Sequence, residues 1–184
     1  MLFPKAFPTI YTQRLLLRQF EEADAVALNR LRNDLHINEH LFFKRSEPLD
    51  KTLEVIQNLQ NSFQSQTGIS WAVTIPETQV PIGYVGFGKV VQEHQNSELG
   101  YLLLPNFWAQ GIMTEALRAV MSYGFNKMKL RRVEAFVKPA NMASILVLEK
   151  NGFEKEAHFK EYFHTNGTYT DCCLYARLST PSAA

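Results

Sequence analysis

Apolar residues recur at positions 113, 116, 117, 120, 121, 124, 125 and 128, with Glu115, Arg118, Ser122 and Asn126 between them. That spacing has the helical period and predicts a long helix over about 111–128 with one buried face. Upstream, the pattern changes to short apolar or alternating runs bounded by turn residues. Arg14–Arg18, Ser70–Ile75, Pro81–Val91 and Ser97–Leu104 read as strands, with Pro76–Gln79 as a turn and Pro105-Asn106 as a stop. Glu21–Asp24 opens a helix to about Asn33, its acidic residues suiting the positive end of the helix dipole. Residues 36–48 show no clear period, Pro48 precedes a helix over about 50–66, and Gly68 is expected to end it. Arg132–Lys138 reads as a strand stopped by Pro139, and Asn141 caps a helix to Lys150 with Gly152 just past its end. Phe153–Phe163 and Thr168–Leu178 flank Asn166-Gly167, a strong hairpin signal, and Thr180–Ala184 forms a frayed tail.

The order is β-α-α-β-β-β-α-β-α-β-β, which predicts one mixed α/β domain over 1–184 with its core at about 12–178. There is no internal repeat, linker or low-complexity segment. Composition keeps this reading: 46% of the 184 residues are hydrophobic and 20% charged, which excludes disorder as the main state. With 19 Lys+Arg against 18 Asp+Glu, broad attraction to nucleic acid or to an anionic membrane is not expected. No apolar run reaches the ~18 residues of a membrane span, and the N-terminus lacks the apolar stretch of a signal peptide. Cys172 and Cys173 are adjacent, which suits free thiols in a reducing cytoplasm rather than a disulfide scaffold. His36 and His40 share a helical spacing but lack a third ligand, so no metal is expected.

The segment Leu99–Ala116 is the most informative. A strand ends, a short loop turns, and a helix begins at Gly111. Free N–H groups at a helix start face outward and favour an anion such as a pyrophosphate, and a glycine lets it approach the backbone. The plainer reading is that Gly111 only eases a turn. Gly83, Gly86 and Gly88 lack the dinucleotide spacing and are followed by a strand, and they mark bulges or close backbone approach instead.

Four blocks together resemble the GNAT family of N-acetyltransferases, and more closely its RimJ/RimL-like branch of ribosomal-protein N-terminal acetyltransferases. They are Thr12–Arg18 with Asp24, Leu99-Gly100-Tyr101, Trp108–Gly111 with Thr114-Glu115-Ala116, and Asn141…Ser144…Val147–Phe153. The resemblance implies a strongly curved mixed sheet of about seven strands and about four helices, splayed where acetyl-CoA binds. It implies that exposed backbone of Leu102, Leu103 and Leu104 holds the pantetheine arm. Amides of Gln110, Gly111, Ile112, Met113 and Thr114 would hold the pyrophosphate. Asn141 and Ser144 match positions that face CoA, although Asn141 also suits a helix cap and Ser144 a local backbone bond. Three departures stand out. Trp108 replaces a common Arg or Gln, Met113 replaces a small residue and either narrows the phosphate pocket or packs inward, and Leu148 replaces a tyrosine acid. Ser144, one turn before Leu148, or a water is left to protonate the leaving thiolate, with Tyr101 a weaker candidate that suits packing.

The acceptor must be a neutral amine. An α-amine with a pKa of about 7.7–8.0 is roughly one-tenth neutral at pH 7, whereas a lysine at about 10.4 is neutral in roughly one part in 2500. Glu98, on the face of Gly100 and Leu102, is the candidate base, with a surface role as the alternative. A backbone N–H near Leu102 or Leu103 would stabilise the oxyanion. Residues 34–48, with Leu41–Lys44, and the late hairpin, with Tyr162, His164 and Tyr169, are the candidate acceptor regions, the alternative being that these aromatics close a core. The expected function is acetyl transfer from acetyl-CoA to a protein N-terminus by direct attack, in a cytoplasmic monomer or homodimer. A small amine such as a polyamine, an amino acid or an amino-sugar drug, or non-catalytic acyl-CoA binding, remain the alternatives.

Overall fold

The computed structural model describes residues 1–42, 48–165 and 167–179. The chain runs through β1 (Ile10–Tyr11), β2 (Leu16–Arg18), α1 (Ala25–Asn33), α2 (Leu35–His40) and α3 (Leu49–Gln64). It continues through β3 (Ile69–Thr74), β4 (Pro81–Val91), β5 (Asn96–Leu103), α4 (Ile112–Asn126) and β6 (Arg132–Val137). It ends with α5 (Met142–Lys150), β7 (Glu154–Thr165) and β8 (Thr168–Leu178).

The eight strands form one mixed sheet in the order β1-β2-β3-β4-β5-β6-β8-β7. Every neighbouring pair is antiparallel except β5–β6. Parallel neighbours need a crossover, and α4 supplies it. The β5–β6 pairing covers only Asn96↔Arg132, Ser97↔Val133 and Glu98↔Glu134. Beyond Glu98 the two strands part, and Leu99–Leu103 loses its neighbour on that side.

Strand alternation sends side chains to two cores. One face of the sheet packs Leu17, Trp71, Val85, Phe87, Leu99 and Leu103 against the α4 stripe Met113, Ala116, Leu117, Val120 and Met121. The other packs Ala72, Leu102 and Leu104 against Leu28, Leu31, Ile37 and Ile56 of the first three helices. Gly124 lets α4 lie on β4, since an added Cβ would meet Phe87 Cζ at 2.7 Å.

Three expectations change. The segment without a clear period contains α2, a short helix capped by Asp34, whose carboxylate accepts from the Ile37 N–H at 3.1 Å. Six residues with Ile37 as their one buried apolar side chain carry too little pattern to reveal a helix. The left-handed residue after α3 is Gln66 at φ 60°, not Gly68, which is needed because a Cβ there would lie 3.1 Å from the Phe87 carbonyl. The two-residue β1 raises the strand number from seven to eight, and α2 raises the helices from four to five. Gly152, at φ 75°, takes the helix-ending role its position predicts, as the N–H groups of Gly152 and Phe153 return to the carbonyls of Glu149 and Leu148. In the late hairpin Thr165 pairs with Thr168 and Gly167 has φ 77°, while Asn166 lies outside the described residues. The Phe43-Lys44 part of the acceptor expectation and the Thr180–Ala184 tail lie there too.

Candidate active site

The site is the opening between β5 and β6. In an antiparallel ladder the main-chain groups of alternate residues face the partner strand and those between face away. The Leu104 N–H donates to the Ile82 carbonyl at 2.9 Å, and the Leu102 carbonyl lies 2.5 Å from where a Gly83 Cβ would stand. Both residues therefore spend their main chain on β4. The groups that face the opening belong to Tyr101 and Leu103, and the Leu103 carbonyl already accepts from Trp108 Nε1 at 2.7 Å. Of the three consecutive leucines expected from the sequence, only Leu103 faces the gap. Trp108 thereby has a structural role: its indole ties the turn back onto the end of β5.

Beyond β5 the chain reverses through Pro105–Phe107, with Ala109 at φ 58° and Gly111 at φ 74°. Gly111 is the residue before α4, and the first helical bond runs from the Glu115 N–H to its carbonyl. The N–H groups of Ile112, Met113 and Thr114 therefore have no partner within the helix. Met113 is buried in the core beneath α4, so of the two placements open to it the side chain packs inward.

A clamp fixes this turn from 96 to 103 positions away in the chain. Glu115 Oε1 accepts from the Thr12 hydroxyl at 2.6 Å and from the Arg14 N–H at 3.0 Å, and Oε2 from Arg14 Nε at 2.7 Å. Arg14 Nη1 also donates to the Gln110 carbonyl at 3.0 Å. Burial works against the charged carboxylate, but the bonds from Thr12 and Arg14 outweigh it and hold Glu115 below its ordinary pKa. The clamp borders an open cleft of about 390 Å³ lined by Gln13, Arg14, Gly111, Thr114, Glu115, Arg118 and Lys150. Three cations face one carboxylate there. Thr12, Arg14 and Glu115 were visible as parts of motifs, but their meeting was not. Lys150 lay within the fourth motif block and Arg118 on the polar face of the long helix, but neither was read as a site residue.

The candidate acid and base lie on opposite faces of β5. Glu98 is the last β5 residue paired with β6, and its carboxylate, one-third exposed, binds Lys89 Nζ at 2.7 Å. Alternation places it on the Leu102 face. Ser144 stands in the first turn of α5, where its N–H donates to Asn141 Oδ1 at 3.1 Å. Asn141 thus caps α5, one of the two roles open to it. Ser144 Oγ is 2.5 Å from the hydroxyl of Tyr101, which reaches it from the other face of β5. Leu148 is buried in the core and supplies no proton.

Around the opening, side chains of the late hairpin meet the segment after α2. Phe42 lies 4.2 Å from Phe163, ring centre to ring centre, and Tyr162 contacts Phe136, Phe159 and Phe163. Thr165 Oγ1 donates to the Phe42 carbonyl at 3.1 Å and Lys138 Nζ to the Glu39 carbonyl at 3.1 Å. Tyr162 is therefore part of this cluster, whereas His164 and Tyr169 pack on each other.

Cys172 and Cys173 are free thiols at 0% and 1% exposure, and burial pushes Cys172 up to about 11. At pH 8, iodoacetamide is expected to label neither thiol in the native protein and both after denaturation, as read by mass spectrometry. Labelling of either native thiol at the denatured rate would contradict this packing.

A family profile described as "Acetyltransferase (GNAT) domain" matches residues 14–154. An uncharacterised N-acetyltransferase of Bacillus subtilis, YoaA, is 33% identical over 170 residues, covering 92% of this chain and 96% of that protein. The ribosomal protein uS5-alanine N-acetyltransferase of Escherichia coli is 28% identical over 179 residues, covering 92% of this chain and 90% of its own. The ribosomal L7/L12 α-N-protein acetyltransferase RimL, solved with coenzyme A, shares the fold with a TM-score of 0.85 at 24% identity, covering 93% of this chain and 98% of its own. The protein is an acetyltransferase. It belongs to the GNAT family.

Among the described residues, no helix is long and apolar enough to cross a membrane.

Proposed function

We propose that this protein transfers the acetyl group of acetyl-CoA to the α-amine of a peptide or protein N-terminus, in the cytoplasm. The observation that carries the reading is the continuity of the opening with the amide-lined turn. A strand edge presenting the main-chain groups of Tyr101 and the N–H of Leu103 leads to the N-terminus of α4, bordered by Arg14, Arg118 and Lys150. An extended amide-bearing arm fits the first part, and a pyrophosphate with a further phosphate fits the second. The relative that acts on the alanine of ribosomal protein uS5 supports an N-terminal acceptor.

In this reading the amine nitrogen bonds to the acetyl carbon, and a main-chain N–H of Tyr101 or Leu103 facing the opening stabilises the oxyanion. Glu98 takes the proton lost by nitrogen, directly or through water, after its exposed partner Lys89 swings away. The carbon–sulfur bond then breaks, and the Ser144 hydroxyl protonates the sulfur. A base on one face of β5 and an acid on the other suit an amine that enters opposite the departing thiol. Asn141, besides capping α5, faces the same arm in this reading.

The test is acetyl-CoA turnover against peptides with free N-termini, spermidine and free amino acids, read by mass spectrometry. Acetylation of peptide α-amines, with lysine side chains spared, is the expected result. Reaction with small amines alone would overturn the acceptor and leave the donor chemistry. Binding of acetyl-CoA without turnover would overturn both.

A further inference from the structure

Tyr101 links the two sides of the opening. It leaves β5, which ends one wall, and reaches α5, which follows the other. Its hydroxyl oxygen lies 2.5 Å from Ser144 Oγ and 3.2 Å from the Ser144 carbonyl oxygen. A partly buried tyrosine usually finds one partner for its O–H. This one has two oxygens within reach, both on the residue read above as the proton donor.

Two proton arrangements fit this geometry. In one, the Ser144 O–H donates to the Tyr101 hydroxyl, which donates to the Ser144 carbonyl. The serine proton is then turned away from the opening. In the other, Tyr101 donates to Ser144 Oγ, and the serine keeps its own proton free for another acceptor. Burial, offset in part by the bond to Ser144, pushes the Tyr101 hydroxyl up to about 12, so it remains a donor throughout neutral pH. Both oxygens within its reach belong to Ser144, so its O–H is committed to the serine.

We propose that Tyr101 is a positioning residue which, by donating to Ser144 Oγ, turns the serine proton toward the leaving sulfur. This rests on the reading of Ser144 given above. As the carbon–sulfur bond breaks, the Ser144 O–H bond breaks and an S–H bond forms. Glu98 then releases the amine proton to water and Ser144 regains one from water, so both groups are reset and Tyr101 keeps its proton throughout. The donated bond also stabilises charge on the serine oxygen while its proton leaves.

Tyr101→Phe keeps the ring and removes the hydroxyl. With acetyl-CoA and a reactive peptide, kcat is expected to fall about tenfold, with KM for both substrates and the affinity for CoA unchanged. In a Ser144→Ala background the same change is expected to add nothing, because the two groups act as a unit. A second readout needs no turnover: the ultraviolet absorbance of the thiolate of bound CoA, titrated with pH. Both single variants and the double variant are expected to raise its midpoint by the same amount. Unchanged kcat in Tyr101→Phe, losses that multiply in the double variant, or a thiolate midpoint that does not move would each overturn the proposal. A protein that binds CoA but acetylates no amine overturns the function reading instead. The thiolate titration then still decides whether Tyr101 and Ser144 act on the sulfur.

Discussion

Glu115→Ala is expected to raise the dissociation constant for acetyl-CoA about 30-fold, measured by calorimetry. One carboxylate holds the Thr12 hydroxyl, the Arg14 N–H and the Arg14 guanidinium, and through Arg14 it reaches the Gln110 carbonyl. Hydrogen bonds to a charged group contribute about 1.5–3 kcal/mol each. Losing the set frees both Arg14 and the turn that presents the amides of Ile112, Met113 and Thr114. The binding side is lost because an ordered turn becomes one that acetyl-CoA must order. Stability should fall too, but less, since Arg14 is nearly half exposed. Acid repeats the effect. The folded pKa of Glu115 lies below its unfolded value, so its contribution to stability is present above the unfolded value and is lost as pH falls through the folded one. Affinity for acetyl-CoA is expected to drop in that window in the wild type, beyond any drop shown by Glu115→Gln. An unchanged dissociation constant in Glu115→Ala would mean that the turn is held without the clamp.

Arg18→Ala is expected to cost about 4 kcal/mol of folding free energy. The Arg18 guanidinium meets both carboxylate oxygens of Asp24 at 2.7 Å and donates to the carbonyls of Gln19 and Gln79 at 2.8 Å. Asp24 side-chain exposure is only 6%, and Asp24 also accepts from the Glu21 N–H at 2.9 Å. Without Arg18 the Asp24 charge is left buried without its counter-ion. The thermal midpoint should fall by roughly 10 °C, at about 2–4 °C per kcal/mol for a chain of this size. Arg18→Met combined with Asp24→Leu is expected to recover most of the loss, because an apolar pair of similar volume replaces the ions without stranding one. A loss under about 1 kcal/mol in Arg18→Ala would show that solvent reaches Asp24 and screens it.

Much of this architecture was legible in local pattern. The stripe from Met113 to Gly124 repeats at the helical period because one face of α4 meets the sheet, and the burial follows it closely. Phe125 is the exception, lying at the margin of that face with Arg177 over its ring. Gly111 and Gly152 announced their turns because a positive φ restricts the choice of side chain. The short helix α2 was illegible, since one buried isoleucine in six residues sets no period.

The sequence by itself determined the long strands, the helix after the glycine turn and the motif order that marks a GNAT acetyltransferase. Those features depend on neighbours within a few residues, where spacing and turn chemistry act directly. The tertiary structure alone decided that β5 and β6 part after Glu98, so that Leu103 and not Leu102 or Leu104 faces the opening. It also decided that Glu115 is held by Thr12 and Arg14, and that Tyr101 meets Ser144 across the gap. Such meetings join residues 43 to 103 positions apart. They depend on which strands pair and which way each main-chain group turns, and local periodicity carries no record of either.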